Sequence, residues 1–236
     1  FDGTIQCTVK ASQEAGFSII KYTGNGSANQ TIGHNLNSKP SLIIIKSRDN
    51  ARNWVVIPTF INDKHFFYLN DTSELLTGLT SYYGTHTSSV VGITGSSSGS
   101  NSNASGEDYL CYAFAPVTGY SAFGTYKGNG STSQGPFIYT GFAPAFLIFR
   151  RYNNTGDWII FDSKRNDHAG NYRDQVLYAN KTNAEEGAAN GDTHLFLSNG
   201  FAIDNVNFGY WNASGDDYLW AAFAENPFQA NGGLAR

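Results

Sequence analysis

YTGNGS (22–27) and YKGNGS (126–131) are nearly the same six residues, 104 positions apart in a chain of 236. A Gly/Asn turn recurs easily by chance, so the match calls for a longer test, sliding the chain against itself at that spacing. Pro40 then falls on Pro144, Leu42-Ile43-Ile44-Ile45-Lys46 on Phe146-Leu147-Ile148-Phe149-Arg150, and Trp54 on Trp158. Further along, the register drifts by a few residues. NASGEDYLCYAFA (103–115) lies over NASGDDYLWAAFA (212–224) at an offset of 109, and Tyr68-Leu69-Asn70 over Tyr178-Ala179-Asn180 at 110. The order of matches never changes, so the expectation is a tandem copy of a unit of roughly 100 residues.

The repeated motif itself predicts a turn. Asn-Gly best tolerates positive φ at both central positions of a two-residue type I′ hairpin, which assigns Asn25-Gly26 and Asn129-Gly130 as structural turns. A phosphate loop is unsupported, because no Lys-Ser/Thr follows and no helical pattern begins there.

Composition points the same way. Charged residues are only 14% of the chain, aromatics reach 15%, and 26 glycines crowd with Ser, Thr and Asn between short apolar runs. That is the profile of an all-β protein. A net charge of −4 and a pI near 5.7 argue against a nucleic-acid groove, which needs a basic face. No apolar run reaches the ~18 residues of a membrane-spanning helix. The chain has no Met and opens on Phe1, which is expected of a piece of a longer polypeptide. Cys111 aligns with Trp220 and reads as a packed, unpaired thiol; a Cys7–Cys111 bridge is the alternative, and neither has metal-ligand spacing.

Within each unit an aromatic-led strand (from Gly16, and from Gly119) runs into the Gly-Asn-Gly turn. The apolar runs 42–46 and 146–150 suit strands central in a sandwich, each ending in a cation, Lys46 or Arg150. Each forms a hairpin with the run that starts at Trp54 or Trp158. The last strand alternates, Leu110, Tyr112 and Phe114 against Tyr109, Cys111 and Ala113, with Leu219, Ala221 and Phe223 against Tyr218, Trp220 and Ala222 in the second unit. Helical period is absent, save for one turn expected over Asn183 to Asn190. Short strands with apolar faces bury them against another sheet, so the fold class is all-β: two tandem antiparallel β-sandwiches of jelly-roll or lectin-like type, related by duplication. The expected layout is a lead-in (1–15), a first sandwich (16–117), a second (118–228) and a tail (229–236). The junction of about four residues, Pro116 to Gly119, suggests a closely packed pair.

Chemistry is scarce. His34, His65, His86, His168 and His194 have no metal spacing. No Gly-x-Ser-x-Gly elbow is present. The doublets Glu107-Asp108 and Asp216-Asp217 follow Asn-Ala-Ser-Gly in both units; they read as turn chemistry first and as a carboxylate loop for Ca²⁺ second. A glycosidase needs two carboxyls about 5–9.5 Å apart, and no spacing rule selects a pair among Asp162, Asp167, Asp174, Asp192 and Asp204. Eight Asn-x-Ser/Thr sequons (Asn25, Asn29, Asn70, Asn103, Asn129, Asn153, Asn180, Asn212) would carry glycans in a eukaryotic secreted protein. Phe208, Tyr210 and Trp211 in a Gly/Asn-rich connection, and Tyr82, Tyr83 and His86 in the first unit, are the candidate ligand-binding residues, rings onto which a sugar could stack. The competing reading has them covering sandwich edges or the seam between units.

The frame GFSIIKYTGNGS, KPSLIIIK and YLN, followed by GYSAFGTYKGNGS, GPFIYTGFAPAFLIFRR, GDWIIFDSKR and YLWAAFAENPF, resembles a tandem module of fibre-type virion proteins of tailed bacteriophages, marine phages and cyanophages among them. The resemblance runs from Phe1 to Phe228. It implies a β-rich domain on the virion surface, in a tail or capsid fibre, and supplies no catalytic residues. The resulting expectation is a non-enzymatic module for host-surface glycan recognition, fibre assembly or both. Its partners are other copies of the fibre chain as a homo-oligomer such as a trimer, neighbouring virion proteins and a host glycan, with no nucleic acid, no membrane insertion and no cofactor. The alternatives are a domain that degrades capsule or lipopolysaccharide, and a secreted lectin-like domain.

Overall fold

The structure is a computed structural model that describes residues 2–77, 84–95, 101–165, 172–187, 193–204 and 211–225. These residues are all-β, in antiparallel sheets, without helix. They divide into two compact units, one of Phe1–Asn70 with Leu75–Pro116, the other of Asp71–Glu74 with the chain from Val117 on.

In the first unit the strands are β1 (Cys7–Ser12), β2 (Phe17–Thr23), β3 (Gln30–Gly33), β4 (Leu42–Ser47), β5 (Val55–Pro58), β6 (Phe67–Tyr68), β7 (Val90–Ile93) and β8 (Asp108–Phe114). One sheet runs β1-β2-β8-β4-β5-β6 and the other is the pair β3-β7. The alternation read from sequence holds on β8: Tyr109, Cys111 and Ala113 are buried, while Leu110, Tyr112 and Phe114 are half-buried. Ile20, Ile43, Ile45, Val55, Ile57, Tyr109 and Cys111 from the large sheet meet Ile32, Val91 and Ile93 from the small one in a single core. That two-layer burial makes a sandwich.

The segment 1–15, expected to stand outside the unit, is part of it. Ile5 is in the core, β1 pairs with β2 from Cys7↔Tyr22 to Ser12↔Phe17, and Gly3 bridges Ile32. Both cysteines are free.

The second unit has β9 (Ser121–Lys127), β10 (Phe137–Tyr139), β11 (Pro144–Arg151), β12 (Ile159–Asp162), β13 (Tyr172–Arg173), β14 (Gln175–Tyr178), β15 (Glu186–Gly187), β16 (Thr193–Leu197), β17 (Gly200–Asp204) and β18 (Asp217–Ala224). Its sheets are β15-β14-β12-β11-β18-β9 and β10-β17-β16-β13. The central run β9-β18-β11-β12-β14 has the strand order of β2-β8-β4-β5-β6; among the described residues no strand of the second unit takes the place of β1. Leu147, Phe149, Phe161, Tyr218 and Trp220 meet Ile138, Phe196, Phe201 and Ile203 across the layers. Where a helical turn was expected from Asn183, Glu186–Gly187 is instead the short strand β15, paired with β14.

The repeated Gly-Asn-Gly turn is not a hairpin. β2 pairs with β1 and β8, whereas the next strand, β3, joins β7 in the other layer. Gly26 (φ +73°) and Gly130 (φ +71°) adopt positive φ, but Asn25 and Asn129 do not, which rules out a type I′ turn. The motif is the corner by which the chain leaves the large sheet for the small one, and the local preference of Asn-Gly for a turn is met without the hairpin.

Candidate functional site

The corner is held from across the unit. Asn103 is fully buried; its Oδ1 accepts the Asn25 N–H at 2.9 Å, and its Nδ2 donates to Asn25 Oδ1 at 3.0 Å and to Ser27 O at 2.8 Å. Its own carbonyl accepts the Gly26 N–H at 3.0 Å. In the second unit Asn212 does the same to Asn129, Ser131 and Gly130, at 2.9, 2.7, 2.9 and 2.8 Å. A side-chain amide offers two donors and an acceptor in one plane, so it can substitute for a strand where no strand fits. Below each clamp two tyrosines stack, Tyr22 on Tyr109 at 5.3 Å and Tyr126 on Tyr218 at 4.7 Å. The hydroxyls of Tyr109 and Tyr218 accept the Ala104 and Ala213 N–H, each at 3.0 Å. Burial pushes the phenols of Tyr109 and Tyr218 up to about 12.

The carboxylate doublets close the same corners. Arg52 grips Glu107 through two nitrogens, and this hydrogen bonding holds the Glu107 carboxyl down to about 2. Asp108 faces Lys21 at 3.1 Å, Asp216 faces Arg151 at 2.8 Å and Asp217 faces Lys127 at 2.8 Å. Each of the four carboxylates offered as a Ca²⁺ ligand is thus balanced by a cation of its own unit. Among the described residues, no three His, Cys, Asp or Glu side chains converge on a point.

The sequons are mostly structural too. Asn70 and Asn180 accept the N–H of Trp54 and Trp158, both at 2.8 Å, and Asn153 accepts the Asp217 N–H at 3.0 Å. With Asn25, Asn103, Asn129 and Asn212 in the clamps, seven of the eight sequon side chains hold backbone.

The aromatic candidates fare differently. Tyr82, Tyr83, Phe208 and Tyr210 lie outside the described residues. Trp211, expected as an exposed stacking surface, is buried edge-on to Phe149 and Phe161 at 6.4 and 5.6 Å. His86 is likewise buried, with Nε2 against Asp63 O at 3.1 Å and Nδ1 accepting the Gly92 N–H at 3.2 Å, so it is a strut within the unit and no surface contact. Burial drives His86 down to about 4. His194, buried among Phe149, Phe161 and Trp211 at 5.1, 4.4 and 5.1 Å, has no hydrogen-bond partner among the described residues, and burial drives it to about 3. Asp162 is tied to Arg165, Asp174 is buried, and Asp204 sits on β17 opposite Thr193; Asp167, Asp192 and His168 fall outside the described residues.

The rings that do reach solvent are elsewhere. On β10, Phe137 is 49% and Tyr139 68% exposed, with Ile138 between them turned into the core. A Cβ on Gly200 would lie 2.9 Å from the Phe137 ring, so the ring rests on that glycine; one on Gly141 would lie 3.5 Å from the Tyr139 hydroxyl. By strand pairing, Ile138 opposite Phe201 takes the place of Ile32 opposite Val91, which sets Phe137 and Tyr139 against Thr31 and Gly33, and those two are covered. Thr31 O accepts from Thr4 N and Ile5 N at 2.9 and 3.0 Å, and Gly33 packs against Asp2. At the spacing of 104 Phe137 and Tyr139 fall on Gly33 and Asn35, so the repeat alignment carried no signal for this face, and it becomes legible only when strand pairing sets Ile138 beside Ile32.

No curated protein and no solved structure matches the chain. The model of one family, described as Domain of unknown function (DUF7483), matches residues 1–227, and the chain belongs to that family.

Proposed function

We propose that the chain is a non-enzymatic surface module of a phage virion fibre, made by copying one β-sandwich, and that it serves host attachment and the assembly of fibre chains. The observation that carries this reading is how the four doublet carboxylates are used: Glu107, Asp108, Asp216 and Asp217 each face a cation of their own unit. Carboxylates committed in this way brace a corner and are poorly placed to trade protons with a substrate. The sequons weigh against a glycosylated secreted lectin, because modifying Asn103 or Asn212 requires breaking a buried clamp. Many weak contacts suit such a module, since copies linked on one virion raise effective concentration.

The test is competition. The purified chain at saturating concentration is expected to slow adsorption of a phage that carries it, while releasing no new reducing ends from host capsule or lipopolysaccharide. Reducing ends that accumulate in proportion to protein would establish a depolymerase and overturn the proposal. So would a chain that neither competes nor self-associates.

A further inference from the structure

We infer that Phe137 and Tyr139 on β10 form a stacking platform for an uncharged carbohydrate. The inference rests on the attachment reading above and gives it a site and a ligand class.

Position comes first. Among the described residues β10 ends its sheet, and Ile203 N donates to Pro136 O at 3.1 Å while Thr140 N donates to Asn199 O at 3.0 Å. Pro136, Ile138 and Thr140 therefore face β17, and by the two-residue alternation Phe137 and Tyr139 turn their backbone groups to the open edge. Their side chains share the face opposite Ile138, about 7 Å apart along the strand.

The first unit covers the equivalent edge with its own residues Asp2–Ile5. A Cβ at Gly33 would already lie 2.7 Å from Asp2 O, and by strand pairing β10 has Tyr139 in that place, so a segment laid as Asp2–Ile5 is would meet the tyrosine. Two large rings stand where, by strand pairing, the first unit has Thr31 and Gly33. Scattered exposed aromatics are ordinary, but two on one strand face, one of them laid on a glycine, are a built surface. A ring seated on backbone is ordered before a ligand arrives, so binding loses less side-chain entropy.

The chemistry of the surroundings selects the ligand. From Gln134 to Phe142 and from Leu195 to Ile203 there is no charged residue. The polar groups at hand are Ser198 and Asn199, both exposed in the turn that bonds to Thr140 and Gly141. An apolar ring face beside hydroxyl and amide groups matches a pyranose, which has one C–H face and a hydroxyl rim. Neither of these two stretches offers a cation to sulfated, sialylated or uronate-rich glycans.

The experiment uses the full chain and a panel of neutral oligosaccharides from dextran, mannan and galactan, with sulfated and uronate-containing glycans as the charged arm. Saturation-transfer NMR and titration are run on wild type, Phe137→Ala/Tyr139→Ala and Tyr139→Trp, with melting curves confirming that these surface variants fold. At least one neutral glycan is expected to bind, about tenfold weaker in the double alanine variant and at least as tightly in Tyr139→Trp. Three results overturn the platform: no binding by the neutral arm, binding confined to the charged arm, or equal affinity in the double alanine variant. If the platform fails while the chain still competes for phage adsorption, the attachment module survives with its contact elsewhere; if competition fails as well, both fall.

Discussion

Asn103 and Asn25 meet amide to amide, 78 residues apart: Asn25 N donates to Asn103 Oδ1 at 2.9 Å, and Asn103 Nδ2 donates back to Asn25 Oδ1 at 3.0 Å. Asn212 and Asn129 repeat the exchange, 83 residues apart, at 2.9 and 2.7 Å. The loop entering the last strand of each unit thereby fixes the corner at which the chain changes sheets. Asn103→Ala leaves the Asn25 N–H without its acceptor and removes one of two donors to the Ser27 carbonyl, which keeps the Gly95 N–H; losing the partner of such a half-buried group costs about 1–3 kcal/mol. A loss of about 1–3 kcal/mol is expected in urea unfolding. Asn103→Asp should be worse, because a carboxylate oxygen then faces Ser27 O. Equal stability of the alanine variant and wild type would show that the clamp is not needed.

The glycines before the corner separate two kinds of constraint. A Cβ at Gly24 or Gly128 would stand 2.2 Å from the carbonyl oxygen of Ala104 or Ala213, whereas at Gly106 or Gly215 it would touch nothing within 4 Å. Gly24→Ala and Gly128→Ala are expected to lose about 3 kcal/mol or more by overpacking against backbone. Gly106→Ala, strained only through φ +78°, should lose about 1–2 kcal/mol. Thermal melting of the three variants ranks them; the reverse order would contradict the steric account.

Acid should loosen both units before any carboxylate protonates. An unfolded histidine titrates near pH 6.5, while folded His86 and His194 are driven by burial to about 4 and about 3. Below pH ~6.5 the unfolded chain takes up protons that the folded one refuses, and unfolding gains about tenfold per pH unit for each histidine until the folded value is reached. Stability is therefore expected to be flat above pH ~7 and to fall between ~6.5 and ~4.5. Urea midpoints for His194→Phe should show a shallower fall over that window, and an unchanged slope would refute the assignment. Glu107 acts lower: its contribution is full above about 4.5 and is lost as pH falls toward 2.

Trp211→Ala should behave as a core mutation. The indole packs against Phe149, Phe161 and His194, and the Trp211 carbonyl accepts the Tyr126 hydroxyl at 2.8 Å. Truncation is expected to cost about 3–5 kcal/mol. Hydrogen exchange should localise the loss to the second unit, with faster exchange on β11, β12 and β18. A variant of wild-type stability that loses only ligand binding would restore Trp211 to the surface role its sequence neighbourhood suggests.

The sequence by itself determined the strands, because alternation is a local property: residues two apart share a face, and Tyr109, Cys111 and Ala113 lie inward on β8 as their spacing requires. It also pointed to the apolar runs 42–46 and 146–150, each closed by a cation, as central strands, because covered faces admit apolar residues in succession, and β4 lies between β8 and β5 and β11 between β18 and β12. Tertiary structure decided which sheet each strand joins. Asn25-Gly26 has the local preference of a hairpin turn and became a corner because Asn103, far along the chain, supplies the bonds a partner strand would have made. For the same reason Trp211 went inside and Phe137 and Tyr139 stayed out. Exposure depends on what else covers a face, and that cover is brought by residues distant in sequence: Asp2–Ile5 lie over Thr31 and Gly33, and among the described residues Phe137 and Tyr139 stay exposed.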